Sequence, residues 1–575
     1  MNARGSDPYP HNYLPNAYKH LNAPGDRARL RPAESLRVQM RQLIRVRLVV
    51  TALLLCAAGM PAHAATPAHP AAALSELYER RHGAPLWSAA GKPTASARAA
   101  LEALRAAPDY GLRAEDYRSE ALAAELAGLA TGPAADSAQW QRFDADLSGA
   151  LLRFLNDLHF GRVDPHAAGF DMPTRRDGFD PLGVLERLAT ASDPGPVIAA
   201  VEPDFLHYRL LRQSLPRYRQ LAAGEGLPAL PPLPATKVTR GQIYAGAPAL
   251  RRLLAALGDL PPAEAERADP MLDEALSTAL RRFQFLHGLT EDGTLGRGTL
   301  AALRVPLAQR VRQIELTLER WRWLPPLQPP TIMVNIPQFR LFLFGSRIDS
   351  EAGMLRMNVI VGQQYSRLHT PVFTADMKTI VFRPYWDVPP SITRHELLPR
   401  LRRQPHYLES QNMEIVGGGG IARASSTPTP EELAGLSDGR LRLRQRPGPD
   451  NALGLIKFVL PNPYDVYLHS TPAGRLFAEP RRAFSHGCVR VNDPVALATE
   501  VLRGTPGEWT AEKIREAMQG DATFSVKLAR PVHVLILYGT AVASEDGAVH
   551  FFDDIYGHDL QLEALLGLKP VAGAH

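Results

Sequence analysis

Residues 483–493 read AFSHGCVRVND, and Cys488 at their centre is one of only two cysteines in 575 residues. A thiol nucleophile needs a base to take its proton and donors to hold the oxyanion that forms on attack. Both are within reach of this segment. The run DVYLH (465–469) reads as a strand ending on His469, nineteen residues before Cys488, and His486 lies two residues before it. Gly487 lets the backbone bend tightly, so the amides around Gly487 and Cys488 are candidate oxyanion donors. Arg490 supplies a fixed positive charge that would lower the thiol pKa or bind a substrate carboxylate. A single buried cysteine is ordinarily packing, and a single histidine is ordinarily structural. A lone thiol set among two histidines, a serine, a glycine and an arginine points instead to nucleophilic chemistry.

Whether that thiol is free depends on the compartment. The N-terminus contains MRQLIRVRLVVTALLLCAAGMPAHAA, in which Arg41, Arg45 and Arg47 precede a short apolar core, Leu48–Ala58. Ala62-His63-Ala64 has the small–x–small form of a signal-peptidase site, so a secretory signal cleaved after Ala64 is expected. The alternative is an uncleaved membrane anchor. Met40 stands where such signals begin, which makes residues 1–39 a candidate N-terminal extension. Cys56 falls inside the signal, and Leu55 before it speaks against lipidation. The mature chain would then carry Cys488 alone, in an oxidising compartment with no partner for an intramolecular disulfide.

The formal charge of +6 (Lys+Arg 65, Asp+Glu 59) is carried by the leader, because residues 1–64 hold nine Lys/Arg and three Asp/Glu. The remainder is balanced at 56 of each, so nothing argues for nucleic acid.

The elements that must position the thiol change character along the chain. Residues 65–240 read as an alanine- and leucine-rich helical scaffold, closed by the proline-rich run GLPALPPLPATK (226–237). Residues 241–308 form a small helical unit: Leu272, Leu276, Ala279, Phe283 and Leu286 lie on one helix face, Gly288 ends it, and a turn at Glu291-Asp292-Gly293 precedes a second helix over 298–303. An amphipathic stretch within 309–330 links it to the last region. From Thr331 to about 560 the pattern is of strands, at 334–336, 341–344, 357–361, 379–383, 454–460, 465–469 and 531–538, followed by a tail, 561–575. Residues 385–450 read as an insertion able to act as a lid, with a basic helical part (390–408) and a flexible loop (415–433). Arg394, Arg400, Arg402 and Arg403 cluster in the helical part. They are either a substrate-binding patch or a solvated basic face.

The string LRRFQFLHGLTEDGTLGRGTLAAL resembles the three-helix peptidoglycan-binding module. HSTPAGRLFAEPRRAFSHGCVRVND resembles the H…SHGCxR signature of L,D-transpeptidases with the YkuD-type catalytic domain. VNIPQFRLFLF, TPVFTADMKTIVFRPYWDVPPSI, RLRQRPGPDNALGLIKFVLPNPYDVYLH and FFDDIYGHDL resemble the large YcbB-like murein transpeptidases of the periplasm, as do LYERRHGAPLW and DYGLRAEDY in the scaffold. The resemblance implies a multidomain α+β protein: helical scaffold, peptidoglycan-binding module, and β-rich catalytic domain with an inserted lid. It implies Cys488 as nucleophile and His469 as general base. Ser470 would orient the imidazole through its side chain or backbone, His486 and Gly487 would shape the oxyanion pocket within the Ser485–Cys488 turn, and Arg490 would hold that loop or the stem peptide. It further implies 3→3 cross-linking of peptidoglycan through a thioester, without metal or cofactor. The partners implied are stem peptides, glycan strands and cell-wall synthesis proteins, met by a monomer in the periplasm. Two other readings remain. The thioester can pass to water, as in an L,D-carboxypeptidase, or the fold can serve as a wall-binding protein without catalysis. A papain-like peptidase fits poorly, because His469 precedes Cys488.

Overall fold

The computed structural model describes residues 70–131, 136–173, 178–224, 229–404, 406–423 and 427–571. The expected signal sequence and Cys56 lie outside these. Among the described residues no helix is long and apolar enough to cross a membrane.

The scaffold is helical because its apolar residues recur at helical spacing and its polar residues cap. Ser137–Phe160 is its longest helix, started by a capping box in which Asp136 accepts from Gln139 N–H while the Gln139 side chain accepts from Asp136 N–H. Its inner face (Phe143, Leu147, Leu151, Phe154, Leu155, Leu158) packs against Ala95–Arg105 and Pro181–Thr190 around the fully buried Trp87. A two-residue hairpin, Ser88–Ala89 with Lys92–Pro93, interrupts the helical pattern that the sequence suggests.

The module that follows consists of Ala247–Leu257, Glu274–Leu286 and Arg297–Leu303 around its own apolar core. Its motif residues have a clear physical task. The buried Gln284 amide donates to Asp292 Oδ1 (2.8 Å), Thr294 O (3.0 Å) and Thr299 Oγ1 (3.1 Å), and its carbonyl accepts from Gly293 N–H (2.8 Å). One side chain therefore folds the whole turn between two helices. Gly293 (φ +67°) must be glycine, since a Cβ there would meet Ser277 Oγ at 2.6 Å.

The last region is a nine-stranded sheet, with neighbours in the order 483–485, 355–362, 489–491, 468–469, 456–459, 373–382, 524–537, 331–335 and 340–344. Strand Arg340–Phe344 pairs again with Leu355–Gly362, so the ladder closes on itself. Short apolar runs such as Ile332–Val334, in a strand buried throughout, fill its interior. Between the adjacent antiparallel strands Phe373–Phe382 and Ile456–Val459 the chain leaves the sheet to build a separate lobe. This lobe has its own four-stranded sheet, in the order 422–423, 413–416, 442–445 and 386–387, and its own core around Leu397, Leu401, Leu408 and Leu443. The expected flexible loop at 415–433 is thus largely ordered. It contains the hairpin Met413–Val416/Ala422–Arg423 and the start of helix Pro430–Asp438, which is capped by Thr429. The glycine run hid a hairpin turn.

A linking helix, Leu307–Arg322, joins the parts. It packs on the scaffold helix Leu206–Ala223, whose Tyr208, Leu211 and Leu215 belong to the same core as the sheet. Near its end Arg322, fully buried, pairs with Glu319 (3.2 Å) and donates to Tyr208 Oη (3.3 Å) and to the carbonyl of Tyr110. Glu319 in turn accepts from the backbone N–H groups of Arg162 and Val163. Replacing Arg322 with Leu strands the buried Glu319 carboxylate, and it should cost about 3–5 kcal/mol of stability. A denaturation midpoint matching wild type would show that this pair holds nothing together.

Candidate active site

The sheet brings His469 and the Cys488 turn together by one short parallel pairing. Leu468 lies opposite Val489 and His469 opposite Arg490, while Val489 N–H donates to Tyr467 O (3.1 Å). Leu468 and Val489 are both fully buried, which fixes the register. The strand enters through Asp465 in a left-handed conformation (φ +53°), and the Cys488 thiol faces that residue's carbonyl (3.7 Å). Hydrogen bonds that form during catalysis are often long or misaligned before substrate arrives.

His469 is buried, and its Nδ1 lies 2.6 Å from Ser470 O. A carbonyl can only accept, so Nδ1 carries the proton and Nε2 is left as the basic atom. Burial is the main force depressing the imidazole pKa to about 3, with the Arg490 and Lys457 cations adding to it. Ser470 thus orients the ring through its backbone. Its hydroxyl accepts from Leu455 N–H (2.8 Å) and Ile456 N–H (3.2 Å) and holds the turn beneath, where Gly454 leaves no room for a Cβ.

The turn bearing Cys488 is braced from within. Ser485 Oγ accepts from Gly487 N–H (3.1 Å) and donates to Cys488 O (2.6 Å), and Gly487 adopts φ +117°. Gly487 N–H is therefore already committed, which narrows the expected pair of oxyanion amides to that of Cys488. Burial pushes the Cys488 thiol above its ordinary value, while hydrogen bonds from Tyr467 and the Lys457 and Arg490 cations pull it down. Arg490 acts in the expected direction but is outweighed by desolvation.

His486 points away from the sheet to the inserted lobe, where its Nε2 meets Glu396 Oε1 at 2.8 Å. That hydrogen bond is the first cause of a lowered Glu396 pKa. The four arginines do not act as one cluster. Arg394 stands on a π-helical segment, Thr393–Leu397, that runs on into the helix Leu398–Arg403 holding the others, but its Nε donates to Ser437 O (3.1 Å) within the lobe. Arg402 and Arg403 are exposed. Arg400 is half-buried beside Tyr407 and near enough to Glu396 to stabilise its charge.

Two residues of the site escaped the sequence reading. Tyr467 shares a strand face with His469 (ring centroids 5.7 Å apart) and is among the groups that pull the thiol pKa down against burial. Lys457, in register with His469, places Nζ 3.7 Å over the Tyr467 ring. The i, i+2 spacing in VYLH was a usable signal for Tyr467. Lys457 had none, because its partner strand is known only from the fold.

A neutral imidazole on one strand and a half-buried thiol just before the strand paired with it, on a closed sheet with an inserted lobe, define a candidate cysteine acyl-transfer site. Three family models match in turn along the chain. Residues 329–508 match the profile of the L,D-transpeptidase catalytic domain (YkuD), residues 246–303 that of a "Putative peptidoglycan binding domain", and residues 72–215 that of a scaffold domain. The chain thus carries an L,D-transpeptidase catalytic domain behind a scaffold and a peptidoglycan-binding domain. A Haemophilus influenzae protein named "Putative L,D-transpeptidase" is 30% identical over 285 residues, spanning 48% of this chain and 55% of that relative.

The site's protonation states fix a pH response. His469 is held at about 3 instead of the ordinary 6.5, so it stays in its base form throughout the neutral and mildly acidic range. The thiol, raised above 9.0, is protonated there. The rate constant for Cys488 acylation should show no acid limb near pH 6.5 and should climb as alkaline pH ionises the thiol. A pH profile that halves near 6.5 would mean that the imidazole titrates as if exposed.

Proposed function

We propose that this protein is an L,D-transpeptidase that forms 3→3 cross-links in peptidoglycan, with Cys488 as nucleophile and His469 as base. The observation that carries the reading is the pairing of strand Leu468–His469 with Val489–Val491, which sets a neutral, Nδ1-protonated imidazole beside the strand that follows the lone thiol. His469 Nε2 takes the thiol proton as Sγ bonds to the carbonyl carbon of the diamino acid in a tetrapeptide stem. The C=O pair moves onto oxygen. Collapse of that adduct breaks the C–N bond, and D-Ala leaves as an amine carrying the proton from His469. An amine of a second stem then attacks the thioester, gives its proton back through His469 and releases the thiol. One peptide bond is broken and one is formed, so no external energy source is required.

The same reading places the enzyme in the periplasm and makes the lobe at 385–450 a lid over the stem. Its contact with the catalytic turn through Glu396–His486 supports that role. The arginines contribute unequally. Arg400 acts on Glu396, which meets His486, whereas Arg394 is turned to Ser437 and Arg402 and Arg403 face solvent. The module at 246–303 would raise the local concentration of wall strands.

Purified protein incubated with tetrapeptide muropeptides should yield 3→3 dimers. Cys488→Ala should yield none while unfolding like wild type, and dimers at wild-type level from that variant would sink the assignment. Release of tripeptide without dimers would favour hydrolysis. Carbapenems should acylate Cys488, giving a single adduct by intact mass that is absent in Cys488→Ala. His469→Ala should slow that acylation by roughly two to four decades, the range of a lost general base; a near-normal rate would move the base role to His486.

A further inference from the structure

The backbone groups around the thiol are nearly all spoken for. Gly487 N–H goes to Ser485 Oγ (3.1 Å), Cys488 O to Ser485 Oγ (2.6 Å), Val489 N–H to Tyr467 O (3.1 Å), and Gly487 O to Thr370 Oγ1 (2.7 Å). Among the described residues none accepts from Cys488 N–H. The Gly487 carbonyl and the Cys488 N–H belong to one peptide unit. A trans peptide is planar, and its C=O and N–H point in opposite directions. Whatever fixes the Gly487 carbonyl therefore aims the Cys488 N–H.

Thr370 is built for that task. It is buried (1% exposed), 117 residues from Gly487 in sequence, and part of no strand or helix. Its hydroxyl accepts from Gly362 N–H (2.9 Å) and so must spend its one proton on Gly487 O. Its backbone N–H donates to Tyr556 Oη (3.2 Å), and Tyr556 Oη donates to Gly362 O (2.7 Å). The rings of His369 and Tyr556 stack at 3.8 Å. Gly362 closes the arrangement, because a Cβ there would meet Leu368 O at 2.0 Å and Thr370 N at 2.6 Å. The hydroxyl thus has no alternative partner and no room to turn.

We infer that Thr370, held by Gly362 and Tyr556, is the positioning residue of the oxyanion donor: it pins the Gly487–Cys488 peptide so that Cys488 N–H faces the acyl oxygen of the bound substrate. The inference rests on the proposed acyl transfer at Cys488 but not on the identity of the acyl donor. Thr370 itself touches no substrate. Its effect is confined to steps in which a carbonyl oxygen gains charge, and it leaves alone a simple displacement at a saturated carbon by the thiolate.

That distinction gives the test. Acylation of Cys488 by p-nitrophenyl acetate passes through an oxyanion, whereas alkylation by iodoacetamide does not, and both need the same thiol. Thr370→Val keeps the shape and removes the hydroxyl. It should slow acylation by about 10- to 100-fold, below the roughly 100- to 1,000-fold cost of deleting a donor outright, and leave alkylation within about 3-fold of wild type. Thr370→Ser should restore acylation. Equal loss in both reactions from a folded Thr370→Val protein, or wild-type acylation, would overturn the inference. Should Thr370→Val fail to fold, Tyr556→Phe decides in the same assay: a selective acylation loss supports the inference, and its absence overturns it. Wild-type protein that is selectively sensitive at Thr370 yet makes no muropeptide product would remove the proposed function alone. A wild-type thiol that the ester cannot acylate would remove both.

Discussion

Everything at this site depends on a two-residue parallel pairing in the middle of the sheet. Parallel strands cannot be joined by a tight turn, so the chain between His469 and Cys488 must travel out and return. It does so through Gly474–Ala478 and the edge strand Ala483–Ser485, which leans on Leu355–Gly362. His469 thus sits on one strand and Cys488 just ahead of the next, and the spacing is set by backbone hydrogen bonds and by the burial of Leu468 and Val489. A slip of one residue would turn His469 away from its face of the sheet, and the closed ladder makes such a slip costly.

The same logic explains why so much structure surrounds so little chemistry. The linking helix carries Arg320, paired in the interior with Asp559 (2.6 Å), and Gln313, which donates to Phe552 O (3.0 Å). It is therefore bonded to the C-terminal segment that supplies Tyr556, as well as to the scaffold through Glu319 and Arg322. Three regions of the chain meet on one helix. Buried polar links of this kind add little net stability, but each excludes alternative packings because an unmet charge in the interior is expensive.

How far the sequence could be read follows from the range of each interaction. The strands at 331–335 and 340–344 were visible because a hairpin writes its pattern locally, and the module at 241–308 because Gln284, Asp292, Gly293 and Thr299 are close in sequence. His469 and Cys488 stood out because the types around them are chemically suggestive. Thr370 and Tyr556 are ordinary residues in ordinary company, and only the fold brings them to Gly487. The lobe was misread in part for the opposite reason. Its glycines signal freedom locally, while the strand that orders them, Arg442–Gln445, arrives some twenty residues later. Its arginines were grouped by number along the chain, although Arg394 turns to Ser437 instead of to its sequence neighbours.

The lobe enters and leaves the sheet through Phe382 and Ile456, which are hydrogen-bonded neighbours on antiparallel strands. Its two ends are therefore as close as a simple hairpin's, and the sheet would need only a tight loop to span them. Such an attachment makes the lobe a replaceable cassette. It can lengthen, shrink or exchange its binding surface over evolutionary time without disturbing the strands that hold the thiol and the imidazole. The lobe and the sheet can thus vary separately, and a graft at 382 and 456 would have to replace only the Glu396 contact to His486.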